Sequence, residues 1–371
     1  MNICFLVRLD FFSKFGGDTQ QILTYKNHWE KLGDKVTIVT DGNYINEYDI
    51  YIVVNIDRFL ETFKFLREIE KANLLTKTFI LPIHHNYEHI VNFEINSRKG
   101  LMGLLTKKLG FFGREKLKSL YWGINKNREY FFEAIRQLFV SHKTLISKYN
   151  NNLTFIFIAS GEKLSLEKDF EINIKNFLFT RNGCDFNNLC VYDRNIDVLV
   201  SGRIESRKNS LAIANALKRT NASKVVFVGG FNKNNKKYIS DFNSLISSSD
   251  NLEYIGKVDH DNMISLYQKS KIHISASWFE VSSLVDLESY YNGCHVVSSI
   301  NGNSKEYLND NATYIDPGCC SSLTKFVNQL MEVGINDVEV LTRRKMIEQN
   351  HSWEVNSKKL LNDIKVLKYN S

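Results

Sequence analysis

A chain of 371 residues is about twice the usual domain length of roughly 100 to 200, so two domains are expected, each able to bury a core. Hydrophobic residues make up 43% and charged residues 24%, the balance of a soluble globular protein; neither a disordered nor a membrane-spanning class is indicated. The net charge of +7 is too modest by itself to indicate nucleic acid binding.

The chain opens on an apolar run, Met1 to Val7, that leads directly into Arg8, Asp10 and Lys14 without a signal peptide's cleavage region, so a cytoplasmic location is expected. "NICFLV", "RLDFFSKFGGD", "TQQILTYKNHWEKLG" and "KVTIVT" read as strand, loop, helix and strand, with Gly33 where the helix should stop. "DIYIVV", a helix near Arg58 to Lys71 and "TFILPI" continue the alternation that predicts a parallel sheet. From Arg98 to Arg136 ten Lys or Arg stand against three Glu, so this stretch alone carries +7, interleaved with Leu, Phe, Tyr and Trp. Such a stretch suits an amphipathic surface lying on anionic membrane, and equally an ordinary solvated helix pair.

After "FIFIAS", "FLFTRNGCD" and a polar "NNLCVYDRN" that reads as a linker, the strand-helix grammar restarts at Asp197. "DVLVSGR", "KVVFVGG", "NLEYIG", "KIHISAS" and "HVVSS" are each followed by helix-length segments, predicting a second α/β domain. Cys4, Cys184, Cys190, Cys294, Cys319 and Cys320 form no CxxC pair and no metal-finger spacing, which predicts packing thiols rather than a zinc or redox centre.

In open parallel sheets ligands sit outside the carboxyl ends of strands, where helix amino termini present free N–H groups. Arg203 and Lys208, in "SGRIESRKN" between a strand and a helix, suit a diphosphate: a planar fork and a point charge beside a helix start. A surface salt-bridge cluster around Glu205 is the alternative. Glu280 follows "KIHISAS" at a strand end, and Glu288 falls about a turn and a half inside the next helix. Ser282 and Ser283 are suitable helix-start residues, leaving amides near Ser283 and Leu284 for a phosphate. Two carboxylates there would repel that phosphate, so hydroxyls are their expected partners, a sugar ring for one and a ribose for the other.

These residues carry a resemblance. With the Gly16–Gly17 loop, "HHN" at 84–86, "RNGCD", "SGRIESRKN", the Glu280 and Glu288 pair with "YYNGCHVVSS", and a terminal "HSWEVNSKKLL", the chain resembles a family 4 glycosyltransferase, the retaining group marked by Glu-x7-Glu. The resemblance implies an α/β GT-B fold: two Rossmann-like domains facing each other across a cleft, an acceptor-binding domain over 1–190, a donor-binding domain over 191–352, and a C-terminal helix, 353–371, returning to the first. It implies that Arg203 and Lys208 bind the donor diphosphate, Glu288 the ribose and Glu280 the transferred sugar. Backbone near Ser282, Ser283 and Leu284 holds further donor groups. Gly17 approaches donor or acceptor, and His85 matches the cleft histidine near the reacting sugar, where a packing or capping role is the alternative.

Two departures from the family pattern bear on the site: Asn209 stands where the family has glycine after the lysine, and Val281, Ser282 and Ser283 replace Gly-Phe-Gly. The implied reaction moves a sugar from a nucleoside diphosphate to a hydroxyl with retention. It needs no metal or other cofactor, because the cations and amides stabilise the leaving diphosphate. A lipid-linked oligosaccharide of bacterial surface polysaccharide is the expected acceptor, at the inner face of the membrane, and no nucleic acid partner is expected. A nicotinamide enzyme would need G-x-G-x-x-G after a strand, which neither Gly16–Gly17 nor Gly229–Gly230 completes. A sugar-nucleotide epimerase or a non-catalytic nucleotide-sugar-binding subunit are the alternatives that share the architecture.

Overall fold

A computed structural model of the chain describes residues 1–42, 44–45, 48–98, 101–125, 128–188, 193–233 and 235–370. It forms two compact units. One holds residues 1–95 and 99–182 with those from 353 onward; the other holds 96–98 and 183–352.

The first unit is built on six parallel strands: β1 (Asn2–Leu6), β2 (Lys35–Val39), β3 (Ile50–Val54), β4 (Thr78–Leu81), β5 (Thr154–Phe157) and β6 (Phe177–Phe179), in the order β2-β1-β3-β4-β5-β6. β3 and β4 are buried at every position, as continuous apolar runs covered by helices on both faces must be. The helix Gly17–Lys31 crosses from β1 to β2 and gives way at Gly33, whose φ of 88° is a left-handed turn that glycine adopts without strain. Its Trp29 is fully buried, stacks on Tyr25 at 5.5 Å and donates from Nε1 to the Ser357 carbonyl at 2.9 Å. That bond, with Lys365 on Asp34 at 2.7 Å, ties the final helix, Trp353–Asn370, into the first unit.

The second unit repeats the plan with β7 (Ile196–Ser201), β8 (Val225–Val228), β9 (Leu252–Tyr254), β10 (Ser270–Ser275), β11 (His295–Ser299) and β12 (Ala312–Ile315), in the order β12-β11-β10-β7-β8-β9. Val198, Val200, Val225, Phe227, Ile272 and Ile274 form the heart of its core. The strand order reverses between β7 and β10, which pair from Ser270 on Ile196 to Ile274 on Val200. A crevice outside the carboxyl ends at such a reversal is where doubly wound sheets bind ligands.

The basic stretch forms a helix over Leu101–Ile124, broken at Gly110 (φ 69°), and a second over Arg128–Phe139. Not all its cations face outward: Arg114 is buried, 3.1 Å from Glu94 and bonded to Glu115. Cys4, Cys184, Cys294, Cys319 and Cys320 are free thiols; Cys190 and the middle of the expected linker lie outside the described residues. Among the described residues no helix is long and apolar enough to cross a membrane.

Candidate active site

The second unit gathers the Arg203, Lys208, Glu280, Ser283 and Glu288 segments around the reversal point. β7 ends at Ser201, and Gly202, at φ 136°, turns the chain out of the sheet. The neighbouring strand comes very close here, since a Cβ on Gly229 would lie 2.0 Å from the Gly202 carbonyl oxygen. A short 3-10 turn, Ser206–Lys208, follows, and Asn209 enters the helix Ser210–Leu217 at φ 61°. The family's glycine at this position therefore has a conformational reason, and asparagine is the substitute that tolerates the left-handed region best. Asn209 is also clamped, donating to the Pro317 carbonyl at 2.8 Å and accepting from Trp278 Nε1 at 3.3 Å.

Glu280 lies in the loop after β10, held by its backbone N–H on the Asn301 carbonyl at 3.1 Å. Its carboxylate sits 2.7 Å from Lys208 Nζ and 3.6 Å from Arg207. Lys208 and Glu280 are 19% and 21% exposed, so the pair is reachable by a ligand. Arg203 is more open, at 44%, and lies 3.6 Å from Glu205. Glu205 itself is buried, and also meets Arg207 at 3.4 Å and Asn232 Nδ2 at 3.0 Å. The Glu205 cluster and the Lys208 to Glu280 pair thus coexist, with Arg207 bridging them.

Ser283 caps the helix Leu284–Tyr291: its φ and ψ of −80° and 106° need no glycine, and its Oγ accepts from the Asp286 N–H at 3.4 Å. Ser282 and Leu284, on either side, are half-buried. Glu288, fifth in that helix, is half-buried and accepts from Tyr267 Oη at 3.3 Å. Burial holds its carboxyl above the usual range, with the nearby Asp185 adding to the shift and His260 opposing it.

In the first unit, Gly16 precedes the helix in extended conformation (φ −150°) and Gly17 is its first residue. Arg8, buried at the end of β1, braces this loop by donating to the Asp10 and Lys14 carbonyls and to Asp18. After β4, Ile83 takes a φ of 47°, an outlier for a β-branched residue, and the two histidines follow. His84 is fully buried between Asp57 (2.8 Å from Nδ1) and Asp169 (3.0 Å from Nε2). His85, 20% exposed, meets the other Asp57 oxygen through both Nδ1 (3.0 Å) and its backbone N–H (2.9 Å). Burial alone would depress the His84 pKa, but the two carboxylates outweigh it and raise it to about 9. Asp57 is held well below the usual carboxylate range by the histidines, despite its own burial.

Residues 185–353 match the family model described as glycosyl transferases group 1. No curated protein matches the chain in sequence. Among solved structures, sucrose-phosphate synthase from Thermosynechococcus elongatus superposes with a TM-score of 0.66 at 10% identity, covering 100% of both chains. WaaG, a glycosyltransferase involved in lipopolysaccharide biosynthesis, gives 0.62 at 13% identity, covering 98% of this chain and 99% of its own. Anabaena Alr3699/HepE in complex with UDP and glucose gives 0.60 at 13% identity, covering 99% and 100%. The chain has the GT-B fold, and the glycosyl transferases group 1 match spans nearly all of its second unit.

Three features of these two sets of residues, each set within its own unit, escape sequence reasoning. Arg207 stands beside the two cations singled out, yet it, too, reaches Glu280. Asn301 and Asn303 clasp the Glu280 loop from the turn after β11, donating to the Trp278 and Val281 carbonyls at 2.9 and 2.8 Å. Asp57 and Asp169, which flank His84, stand 27 and 85 residues from it in the chain.

Proposed function

We propose that the protein is a retaining, family 4 type glycosyltransferase that moves a sugar from a nucleoside diphosphate donor to a hydroxyl, with the donor seated on the second unit. The observation that carries this is the Lys208 to Glu280 ion pair, 2.7 Å long, beside a capped helix start at the β7/β10 reversal. A cation and an acceptor-only carboxylate stand side by side where a diphosphate and a sugar meet in such a donor. Arg203, Lys208 and the amides near Ser283 and Leu284 stabilise the departing diphosphate, so the charge is met without a metal ion. Glu288 accepts from ribose hydroxyls. Glu280 turns to the transferred sugar and stabilises the positive charge that develops on it. The incoming hydroxyl gives its proton to a donor phosphate oxygen on the same face. In the first unit, His85 and Gly17 are the residues this reading assigns to the reacting groups. That HepE was solved with UDP and glucose supports a sugar nucleotide as donor.

Arg203→Ala and Lys208→Ala should each weaken nucleoside diphosphate affinity by roughly 1.5 to 3 kcal/mol, the scale of a hydrogen bond to a charged group. Calorimetric titration checks this, and unchanged affinity in a folded double variant removes the phosphate assignment.

The acceptor in this reading is a lipid-linked oligosaccharide of bacterial surface polysaccharide, reached at the membrane's inner face. The helices Leu101–Ile124 and Arg128–Phe139 support it, since they expose Leu104, Tyr121, Trp122, Ile124, Phe132 and Phe139 alongside Lys107, Lys108 and Arg136. Exposed apolar side chains among cations suit an anionic lipid surface. Sedimentation with anionic vesicles should recover the protein at low salt and release it as salt rises; equal recovery with neutral vesicles speaks against membrane seating.

A further inference from the structure

Asp286 is a buried acid whose partners are hydroxyls rather than cations. It lies in the first turn of the helix Leu284–Tyr291, fully buried. Among the described residues no cation neutralises it: its Oδ1 has no hydrogen-bond partner there, and Nδ1 of His273 on β10, 3.8 Å away, is likewise unpartnered. Burial pushes the His273 ring down to about 3 and the Asp286 carboxyl up to about 6. An uncompensated buried carboxylate destabilises a fold, whereas an apolar side chain of similar size would not.

What Asp286 does hold is a turn. Its Oδ2 accepts from Ser298 Oγ on β11 at 2.6 Å and from Ser304 Oγ at 2.8 Å. Ser304 Oγ lies 2.9 Å from Tyr307 Oη, and Tyr307 donates to the Ser283 carbonyl at 2.8 Å. The Asp286 N–H returns to Ser283 Oγ; Ser304 and Tyr307 have one proton each for three contacts, so Ser304 shares its proton between Asp286 and Tyr307, and together they enclose the helix cap in a ring. The same turn carries Asn303, whose backbone N–H and side chain both donate to the Val281 carbonyl, three residues after which the helix begins. Displacing this ring would move the Ser283 and Leu284 amides and the Glu280 loop together.

We propose that Asp286 is a positioning residue for the donor: through Ser304 and Tyr307 it fixes the cap at Ser283, and so the amides that receive the diphosphate. This rests on the donor reading given above. Its two serine arms separate binding from folding, because Ser304 leads to the cap while Ser298 belongs to a strand. Asp286→Ala should weaken affinity for the tightest of UDP, GDP, ADP and CDP by about tenfold or more. Since that variant removes both arms and can fail to fold, Ser304→Ala and Ser298→Ala decide. Both should lower the melting temperature to a similar degree. Only Ser304→Ala should weaken nucleotide affinity, by about fivefold, with Ser298→Ala within about twofold of the parent. Equal affinity losses in the two, or none in Ser304→Ala, overturns the positioning role. Failure of the donor reading itself shows separately, as a Lys208→Ala protein that binds nucleoside diphosphate like the parent.

Discussion

Glu280→Gln should lower turnover by about 10² to 10³ while leaving nucleoside diphosphate affinity intact or slightly tighter. The substitution keeps the side chain's shape and removes its charge, so what it deletes is the stabilisation of positive charge arising only as the sugar leaves. Affinity should not fall, because Glu280 pairs with Lys208, 2.7 Å away, and a diphosphate has to take that cation over. Releasing Lys208 in advance favours the ligand. Glu288 sits differently, half-buried inside its helix with Tyr267 donating to it. Glu288→Gln should therefore raise the donor KM more than it lowers kcat, the mark of binding lost equally from ground and transition states. Steady-state kinetics on both variants checks the division of roles; identical defects would refute it.

His84→Gln should destabilise the protein by about 3 to 5 kcal/mol, because it strips the cation from between two buried carboxylates, Asp57 and Asp169. The pH dependence has a definite sign. The ring's folded-state pKa, about 9, lies above its ordinary 6.5, so its stabilisation is fully present below pH 6.5 and lost as pH rises through 9. The folded-state pKa of Asp57 lies below its ordinary 3.8, so its share is present above that value and lost as pH falls. Urea unfolding at pH 6 and pH 9.5 should show a parent that loses stability at the alkaline end and a variant that loses little more. A variant as stable as the parent at pH 6 would mean that the imidazolium does not hold the carboxylates together.

The parts of this structure that sequence reading reaches are those in which one segment carries its own signal. β3, β4, β7 and β8 are buried at every position and mostly apolar because both their faces are covered, and their ends announce the loops that follow. Glu280, Ser283 and Glu288 share one short stretch, so strand end, cap and helix follow from residue type and spacing. β12 went unread because only its last residue is buried, and "ATYI" follows a run of Asn and Asp typical of loops. The carboxylates around His84 come from two segments, 27 and 85 residues away, that only folding brings to it, and no local pattern marks them. Asp286 hides for the opposite reason: in "SSLVDLESYY" it looks like an acid favoured near a helix start, whereas its carboxylate turns inward to two serines.

The most direct measurement is a thermal-shift panel of nucleoside diphosphate sugars on the parent and on Glu288→Gln. A donor present at about 100 times its dissociation constant adds roughly 2.7 kcal/mol of stability. At least one sugar nucleotide should accordingly raise the parent's melting temperature by about 5 °C or more, and Glu288→Gln should lose most of that shift. A panel in which no sugar nucleotide stabilises the parent, or in which the best one stabilises Glu288→Gln equally, would contradict a donor site at the β7/β10 reversal.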